Sequence, residues 1–282
     1  MTEPPIYFVS GLPRSGTTLL MNLLGQNPAH HVTPTSGLIH LMLTVQKKWT
    51  RCQEFRAQGL AEAKPYVHGA LKGLMTGFFA EPLSQGKIVF DKSRGWVQHV
   101  ELVERILARP VKVITMVRDI RAIAASWEKV YRRRDIEFSL PPDKEGEEVT
   151  TVGSRTSRIL LPTKVTGRSI GRVRDALERC PEKLLVVPYE RLTTAPQETM
   201  ARIHESLRLP PFEYDPEHVE QVTHEDDNYL GADLHTIRSR VEAAPEPWKG
   251  ILPSNLVARI AKEYEDLNRI AAGPVLDGGA KT

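Results

Sequence analysis

The stretch IYFVSGLPRSGTTLLMNLL, residues 6–24, decides the fold of this chain. It begins with a short apolar run, passes through a segment bounded by Gly11 and Gly16, and continues with leucines at helical spacing. This order predicts a β-strand, a tight turn and the start of an α-helix. Glycines let the backbone approach an anion closely, and the free N–H groups of a helix start point toward it. We therefore expect residues 11–18, the phosphate loop, to bind a phosphate.

The phosphate loop keeps the spacing found in ATPases and kinases but lacks their lysine. Thr17 occupies the lysine position, and the cation of the loop is Arg14. In kinases the lysine reaches the β- and γ-phosphates while the next hydroxyl holds Mg²⁺. Its absence argues against ATP chemistry and favours an anion bound by N–H groups, hydroxyls and one arginine. An ordinary β-turn-α corner is the alternative explanation of the glycines.

Composition and length limit the class of protein. The 282 residues suffice for one large α/β domain or two small ones, and we expect a single domain over 1–282. A net charge of +3 does not by itself indicate a nucleic-acid partner. Cys52 and Cys180 lie far apart without metal-binding spacing, so we expect no disulfide framework and no metal site. Without a signal-peptide pattern or a long apolar run, we expect a soluble cytoplasmic protein with no membrane span.

Strand-like and helix-like patterns alternate along the rest of the chain. Apolar, β-branched runs at 88–90, 111–117 and 183–187 predict buried strands. Helical patterns lie at 38–49, 60–79, 96–107, 120–127, 166–178, 198–207 and 253–272. Residues 30–37 form a loop or a short strand, and residues 212–248 are irregular. The alternation predicts an α/β fold with a parallel sheet covered on both faces.

Two charged regions interrupt this pattern. Residues 132–151 combine arginines, prolines and mixed charges, which predicts a mobile insertion and a candidate flap over the site. Residues 155–174 contain six basic residues and no acid. This basic stretch either contacts an anionic acceptor or is a solvated helix face.

Three polar clusters follow predicted strands, at 11–18, 91–94 and 118–126. Because parallel sheets bind ligands beyond the carboxyl ends of their strands, we expect the clusters to lie at one edge. Arg118 and Ser126, two helical turns apart, can offer donors to a second phosphate. A structural ion pair of Arg118 with Asp119 or Asp91 is the alternative. Tyr189 follows a later strand and either covers a purine ring or packs in the core.

Three motifs resemble those of the 3′-phosphoadenylyl-sulfate-dependent sulfotransferases. GLPRSGTT follows the first strand, VRDIRAIAASW a middle strand and VPYERL a late strand, in family order and spacing over residues 6–209. The loop is most similar to the bacterial, tyrosyl-protein and heparan-type branches. The resemblance implies a three-layer α/β sandwich with a central, mostly parallel sheet of the P-loop NTPase-like type. It also implies 3′-phosphoadenylyl sulfate (PAPS) as co-substrate and adenosine 3′,5′-bisphosphate (PAP) as product, with no metal.

The resemblance assigns nucleotide-binding residues by position. By this resemblance, five loop residues bind the 5′-phosphosulfate: Arg14, Ser15, Gly16, Thr17 and Thr18. Arg118 and Ser126 bind the 3′-phosphate, and Tyr189 borders the adenine. Family members close a late loop over the nucleotide, and its counterpart at 235–240 and 248–249 supplies Arg238, Ser239 and Lys249.

The general base stays open between two residues. Asp91 and Lys92 look like the acid–lysine cluster of heparan-type enzymes, where the acid is the base. A carboxylate beside a lysine can accept a hydroxyl proton while the ammonium stabilises developing charge. Arg94 stands where the cytosolic enzymes place a histidine. His31 is the alternative base, and a structural arginine partner is the alternative role of Asp91.

The reaction implied is in-line transfer of a sulfuryl group to a hydroxyl or amine. Asp91 would take the proton, while Arg14 and Lys92 stabilise the leaving phosphate. The acceptor is a small molecule, a saccharide or a carrier-bound chain. A P-loop small-metabolite kinase and a non-catalytic nucleotide-binding relative are the alternatives. The sequence predicts neither the acceptor nor the oligomeric state.

Overall fold

A six-stranded sheet forms the centre of the computed structural model, which describes residues 5–133, 150–227 and 234–278. The strands are β1 (Ile6–Gly11), β2 (His30–Thr35), β3 (Ile88–Lys92), β4 (Val113–Val117), β5 (Leu184–Pro188) and β6 (Leu276–Asp277). Their order across the sheet is β2-β3-β1-β4-β5-β6. The first five strands pair in parallel and β6 runs antiparallel to β5. The predicted α/β fold with a mostly parallel sheet is confirmed.

Helices cover both faces of this sheet. They are α1 (Thr17–Leu24), α2 (Leu38–Lys48), α3 (Gln53–Gln58), α4 (Leu60–Phe78), α5 (Ala80–Ser84), α6 (Val100–Leu107), α7 (Ile120–Arg132), α8 (Val152–Leu160), α9 (Val165–Arg179), α10 (Tyr189–Thr194), α11 (Pro196–Leu207), α12 (Ser254–Glu263) and α13 (Glu265–Ala271). The sequence did not predict α3, α5, α8, α10 or β6, and the single C-terminal helix it predicted is two helices separated at Tyr264. Among the helices of the described ranges, none combines the length and the hydropathy that a membrane crossing requires.

Side chains that alternate along the strands build two cores. Phe8 and Val113 belong to the core that packs against α2, α4, α6, α7, α9 and α12. Val9 and Ile114, one residue further along each strand, belong to the core against α1 and α11. Neighbouring residues of a strand point to opposite faces, so apolar runs without polar interruption fill both cores. The result is the predicted three-layer sandwich.

The register of the central strands brings their carboxyl ends to one edge. Val9 of β1 pairs with Lys92 of β3, and Gly11 pairs with Met116 of β4. Residues that follow β1, β3, β4 and β5 therefore meet at this edge, as predicted. Most of the charged insertion predicted at 132–151 lies outside the described residues. That the whole of 1–282 is one domain stays a prediction.

Candidate active site

The phosphate loop leaves β1 and passes very close to β4. A Cβ atom at Gly11 would lie 2.5 Å from the carbonyl oxygen of Met116, so the approach requires glycine. Arg14 has a φ of 64° and Gly16 a φ of 85°, both in the left-handed region. The Ser15 hydroxyl donates to the carbonyl oxygen of Leu12 at 2.6 Å and stabilises the turn from inside. The loop therefore delivers the chain to the N-terminus of α1 in the geometry of an anion cradle.

Two arginine side chains lie beside this loop. Arg14 Nε donates to Ser126 Oγ at 3.1 Å, and Arg14 Nη1 donates to the carbonyl oxygen of Leu234. Arg118 Nη1 donates to the Arg14 carbonyl oxygen at 2.9 Å, and its guanidinium carbon lies 4.0 Å from the centroid of the Tyr189 ring. Burial lowers the pKa of both arginines, yet a guanidinium keeps its proton in proteins. Two positive charges are thus fixed beside the loop.

Three buried polar groups beside the loop lack a partner. Arg118 Nε, Trp127 Nε1 and Ser10 Oγ make no hydrogen bond with any residue that the structure describes, and all three residues line one cavity. Buried donors are normally satisfied, so these groups fit a ligand with oxygen acceptors. A Cβ at Gly16 would lie 2.4 Å from the Tyr189 ring, which therefore covers the loop. The site fits an anionic ligand with a flat group against an aromatic ring.

The cavity at this edge has a volume of about 1590 Å³. Among the described residues, ten cationic side chains line it: Arg14, Lys92, Arg94, Arg118, Lys129, Arg133, Arg158, Lys164, Arg238 and Arg240. Four acids line it: Glu225, Asp226, Asp227 and Glu242. The excess of positive charge suits a ligand that carries several negative charges.

An acidic cluster that sequence reasoning did not single out faces the loop. Glu225 Oε1 accepts from Lys92 Nζ at 2.5 Å and from both the N–H and the hydroxyl of Thr35, each at 2.9 Å. Glu225 Oε2 lies 3.3 Å from His235 Nε2. His235 Nδ1 lies 2.6 Å from Asp227 Oδ1. The imidazole thus bridges two carboxylates. The only sequence signal was a run of acids in an irregular stretch, HEDD at 224–227.

The opposite charges of Glu225 and Lys92 shift each other's pKa toward the ionised form. Burial would raise the pKa of Glu225, but the hydrogen bond and charge of Lys92 outweigh it and hold that pKa below its usual value. Burial lowers the pKa of Lys92, and Glu225 acts in the opposite direction. Lys92 Nζ also lies 3.4 Å from Thr18 Oγ1. The ammonium therefore connects the acidic cluster with the phosphate loop.

Asp91 lies next to Lys92 but faces the other side of the sheet. Its carboxylate accepts from Trp96 Nε1 at 2.7 Å and from Thr33 Oγ1 at 3.2 Å. The side chain is fully buried and is not among the residues that line the cavity. Burial raises its pKa to about 6 against the opposing hydrogen bonds of Ser36, Trp96 and Thr33. The structure does not bring Asp91 to the cavity, because alternation along β3 allows only one of the two neighbours to face it.

His31, the alternative base, also lies away from the cavity lining. It pairs with Val89 in the sheet, whereas the strand end at Thr35 pairs with Lys92. Its ring lies 6.3 Å from that of Phe79. Neither base candidate of the sequence therefore lines the cavity.

The late loop contributes one of its three predicted residues. Arg238 lines the cavity and pairs with Glu242 at 2.8 Å. Ser239 is exposed, and its carbonyl oxygen accepts from the Val219 N–H at 2.7 Å. Lys249 is exposed and pairs with a glutamate three residues earlier. Ser239 and Lys249 are not among the lining residues.

The other predicted nucleotide-binding residues come together at the cavity, apart from Ser15. Those that line it are Arg14, Gly16, Thr17, Thr18, Arg118, Ser126 and Tyr189. The Ser15 side chain is buried within the loop instead. The roles assigned to these residues stay predictions.

Some residues of the basic stretch line the cavity, and others form structural ion pairs. Arg158 and Lys164 line the cavity. Arg155 Nε and Nη2 bind the buried Glu128 carboxylate at 2.9 and 2.8 Å and fasten α8 to α7. Arg174 pairs with an aspartate of α13 at 2.7 Å. The stretch is therefore neither wholly a solvated face nor wholly part of the site.

Comparison with known proteins gives a family match over most of the chain. A family model described as "Sulfotransferase family" matches residues 5–214. Among curated proteins, protein-tyrosine sulfotransferase 1 of Danio rerio is 21% identical over 210 residues. The aligned region is 74% of this chain and 54% of that protein, so the chain spans about half the length of this curated relative.

Solved structures with this fold include three described as sulfotransferases. The sulfotransferase domain from the curacin biosynthetic pathway has a TM-score of 0.53 and 19% identity, with 94% of this chain and 98% of that chain covered. Mouse sulfotransferase SULT7A1 complexed with PAP has a TM-score of 0.52 and 10% identity, with 96% and 87% covered. The sulfotransferase domain from the Synechococcus PCC 7002 olefin synthase has a TM-score of 0.50 and 16% identity, with 94% and 96% covered. At these identities the likeness is one of fold.

Proposed function

Because this chain belongs to the sulfotransferase family, we propose that it moves a sulfuryl group from PAPS to a hydroxyl or amine of an acceptor. The observation that carries the proposal is the pair of anion-binding arrangements at one cavity. In this proposal the phosphate loop with Arg14 is the first, and Arg118 with Ser126 is the second; all of them line the cavity, and Arg14 contacts both Ser126 and Arg118. A nucleotide with phosphates at both its 3′ and 5′ positions matches this pair. One structural neighbour is described as complexed with PAP.

The lining residues suggest how the donor would be held. The phosphate loop and the start of α1 would bind the 5′-phosphosulfate. Arg118 and Ser126 would bind the 3′-phosphate, with Arg118 Nε as a buried donor in need of an acceptor. The Tyr189 ring, which already covers Gly16, would border the adenine. The Thr17 substitution at the lysine position supports a donor other than ATP.

The acidic cluster supplies the base that the reaction requires. In the transfer, a bond forms between the acceptor oxygen and sulfur, while the bond from sulfur to the phosphate oxygen breaks and leaves its electron pair on the phosphate. The acceptor proton goes to Glu225, because this carboxylate faces the cavity and Asp91 does not. His235 positions Glu225 Oε2, and Asp227 holds the imidazole. Glu225 is an ionised acceptor in the resting protein, since Lys92 keeps its pKa low.

Lys92 connects proton transfer with the departure of the phosphate. In the resting protein its ammonium is paired with Glu225. When Glu225 becomes protonated, the pair loses its charge attraction and the ammonium can stabilise the phosphate oxygen beside Thr18. Arg14 would stabilise the same leaving phosphate from the loop.

Calorimetry with PAP tests the donor site. We expect micromolar binding without Mg²⁺, and about 10-fold or greater weakening in Arg118→Ala, which loses a charge-assisted hydrogen-bond donor. The control Arg202→Ala removes an exposed arginine that pairs with Glu205 on α11 and is expected to bind PAP normally. Mass spectrometry of hydroxylated acceptors incubated with PAPS then tests transfer. Tight Mg²⁺-dependent ATP binding without PAP binding would contradict the proposal and favour a kinase.

A further inference from the structure

Arg94 is a cavity-lining cation that the proposed reaction does not use. It follows Lys92 by two residues, on the turn that leaves β3, and lines the cavity. Within the part of the chain that the structure describes, its guanidinium makes no hydrogen bond and no ion pair. The two arginines beside the phosphate loop differ, since each donates to a protein oxygen. Arg94 is thus available to a ligand at the side of the cavity near the end of β3.

A second arginine lies within electrostatic reach of Arg94. Burial lowers the pKa of Arg94, Arg172 of α9 lowers it further, and Glu225 acts in the opposite direction. Arg172 is half-buried and also makes no hydrogen bond or ion pair in the described ranges. Arg172 is not among the lining residues, so we call Arg94, together with the part of the cavity wall beside it, the Arg94 site. The Arg94 side chain is surrounded by the walls of the cavity but remains exposed, so its charge is accessible to an anionic ligand, and the like charge of Arg172 favours binding of an anion there.

The Arg94 site and the proposed base are separate but near. Lys92, two residues before Arg94, pairs with Glu225 at 2.5 Å, and all three residues line the same cavity. No ion pair joins Arg94 to Glu225 among the described residues, so their charged groups are more than 4 Å apart. One small molecule can therefore present a hydroxyl to Glu225 and an anionic group to Arg94. An arginine binds a carboxylate with two parallel hydrogen bonds, which fixes orientation as well as affinity.

We propose that the acceptor is a hydroxy acid whose carboxylate binds the Arg94 site while its hydroxyl faces Glu225. The inference rests on the proposed function and adds the chemical class of the acceptor. Arg158 and Lys164, on the α8–α9 side of the cavity, add positive potential along the path of entry.

Matched acids and esters test the Arg94 site. The 282-residue chain, saturated with PAP, is titrated with three pairs: 4-hydroxyphenylacetate, 3-hydroxydecanoate and glucuronate, each against its methyl ester. The ester keeps the hydroxyl and removes the charge. We expect at least one acid to bind about 10-fold or more tightly than its ester, as a charge-assisted contact requires. In Arg94→Gln this preference falls to about 2-fold or less, and Arg94→Lys retains part of it.

Two controls separate this proposal from that of the donor site. PAP affinity is measured in each variant and is expected to be unchanged in Arg94→Gln. The control Arg168→Gln lies one turn from Arg172, but its guanidinium donates to the Thr163 carbonyl oxygen at 2.6 Å and does not line the cavity, so it keeps the acid preference. The titrations are repeated without PAP, so that a failed donor site leaves the acid–ester comparison intact.

The proposal is overturned by any of three results. The first is that the unmodified protein binds no acid more tightly than its ester, and this includes the case in which no member of any pair binds. The second is an acid preference that survives Arg94→Gln. The third is a loss of PAP affinity in Arg94→Gln, which would assign Arg94 to the donor.

Discussion

Glu225→Gln is the substitution that most directly tests the proposed chemistry. Glutamine keeps the Oε1 acceptor that receives Lys92 and Thr35, so the arrangement beside the loop is retained. It removes the negative charge and the basicity. Because the backbone and hydroxyl donors of Thr35 still have a partner, the lost charge-assisted component of the Lys92 contact is worth about 1–2 kcal/mol of stability.

The kinetic effect is measured separately from this loss of stability. Losing a positioned general base costs about 100- to 10,000-fold in rate. We therefore expect kcat to fall at least ~100-fold, or about 2.7 kcal/mol of transition-state stabilisation, with PAP affinity within about 3-fold of the unmodified protein. Lys92 then loses its counter-charge but remains near Thr18 and the loop.

The assay measures sulfuryl transfer to the best acceptor of a hydroxyl screen, by mass gain, together with calorimetry for PAP and thermal unfolding. Glu220→Gln is the matched control, since Glu220 is an exposed acid of the same irregular segment outside the cavity lining. The reasoning is refuted if folded Glu225→Gln retains a kcat within about 3-fold of the unmodified protein. If Asp91→Asn loses its activity while Glu225→Gln keeps it, the general base is Asp91 and not Glu225.

Three further predictions concern stability and the loop. Because the folded-state pKa of Asp91 is raised to about 6, the unmodified protein should lose stability relative to Asp91→Asn as pH rises from 4 to 6, by on the order of 2 kcal/mol. Urea unfolding at both pH values checks this, and a pH-independent difference contradicts it. Gly16→Ala places a Cβ 2.4 Å from the Tyr189 ring at a left-handed φ and should abolish PAP binding in calorimetry, whereas Gly73→Ala, which has open space, should not. Glu128→Gln breaks the buried pair with Arg155 and should destabilise by about 3 kcal/mol in chemical unfolding, with PAP affinity unchanged.

Most of the cavity around the phosphate loop could be predicted from local sequence. The strand, the phosphate loop and α1 are contiguous, so glycine spacing and leucine periodicity were sufficient to predict them. Arg118 and Tyr189 directly follow buried strands, and the parallel-sheet rule places such residues at a common edge. The family resemblance then predicted that this edge of the sheet binds the nucleotide PAPS.

The side of the cavity that we propose for the acceptor depends on contacts between residues that are far apart in sequence. Glu225 and Lys92 are 133 residues apart, and Glu225 lies in a stretch with no periodicity to indicate its direction. Alternation along β3 predicts that Asp91 and Lys92 face opposite sides, but not which side holds the cavity. Only the packing of Trp96 and Thr33 against Asp91 decided it.

The chain alone thus determined the phosphate loop, the buried strands of the sheet and the family resemblance, because each is recognised from residues that are close in sequence. The tertiary structure decided that Glu225 rather than Asp91 meets the cavity, and that Arg94 has no ion-pair partner among the described residues. Those two outcomes depend on where a segment without regular structure folds back over the carboxyl edge of the sheet, and that is a property of long-range packing.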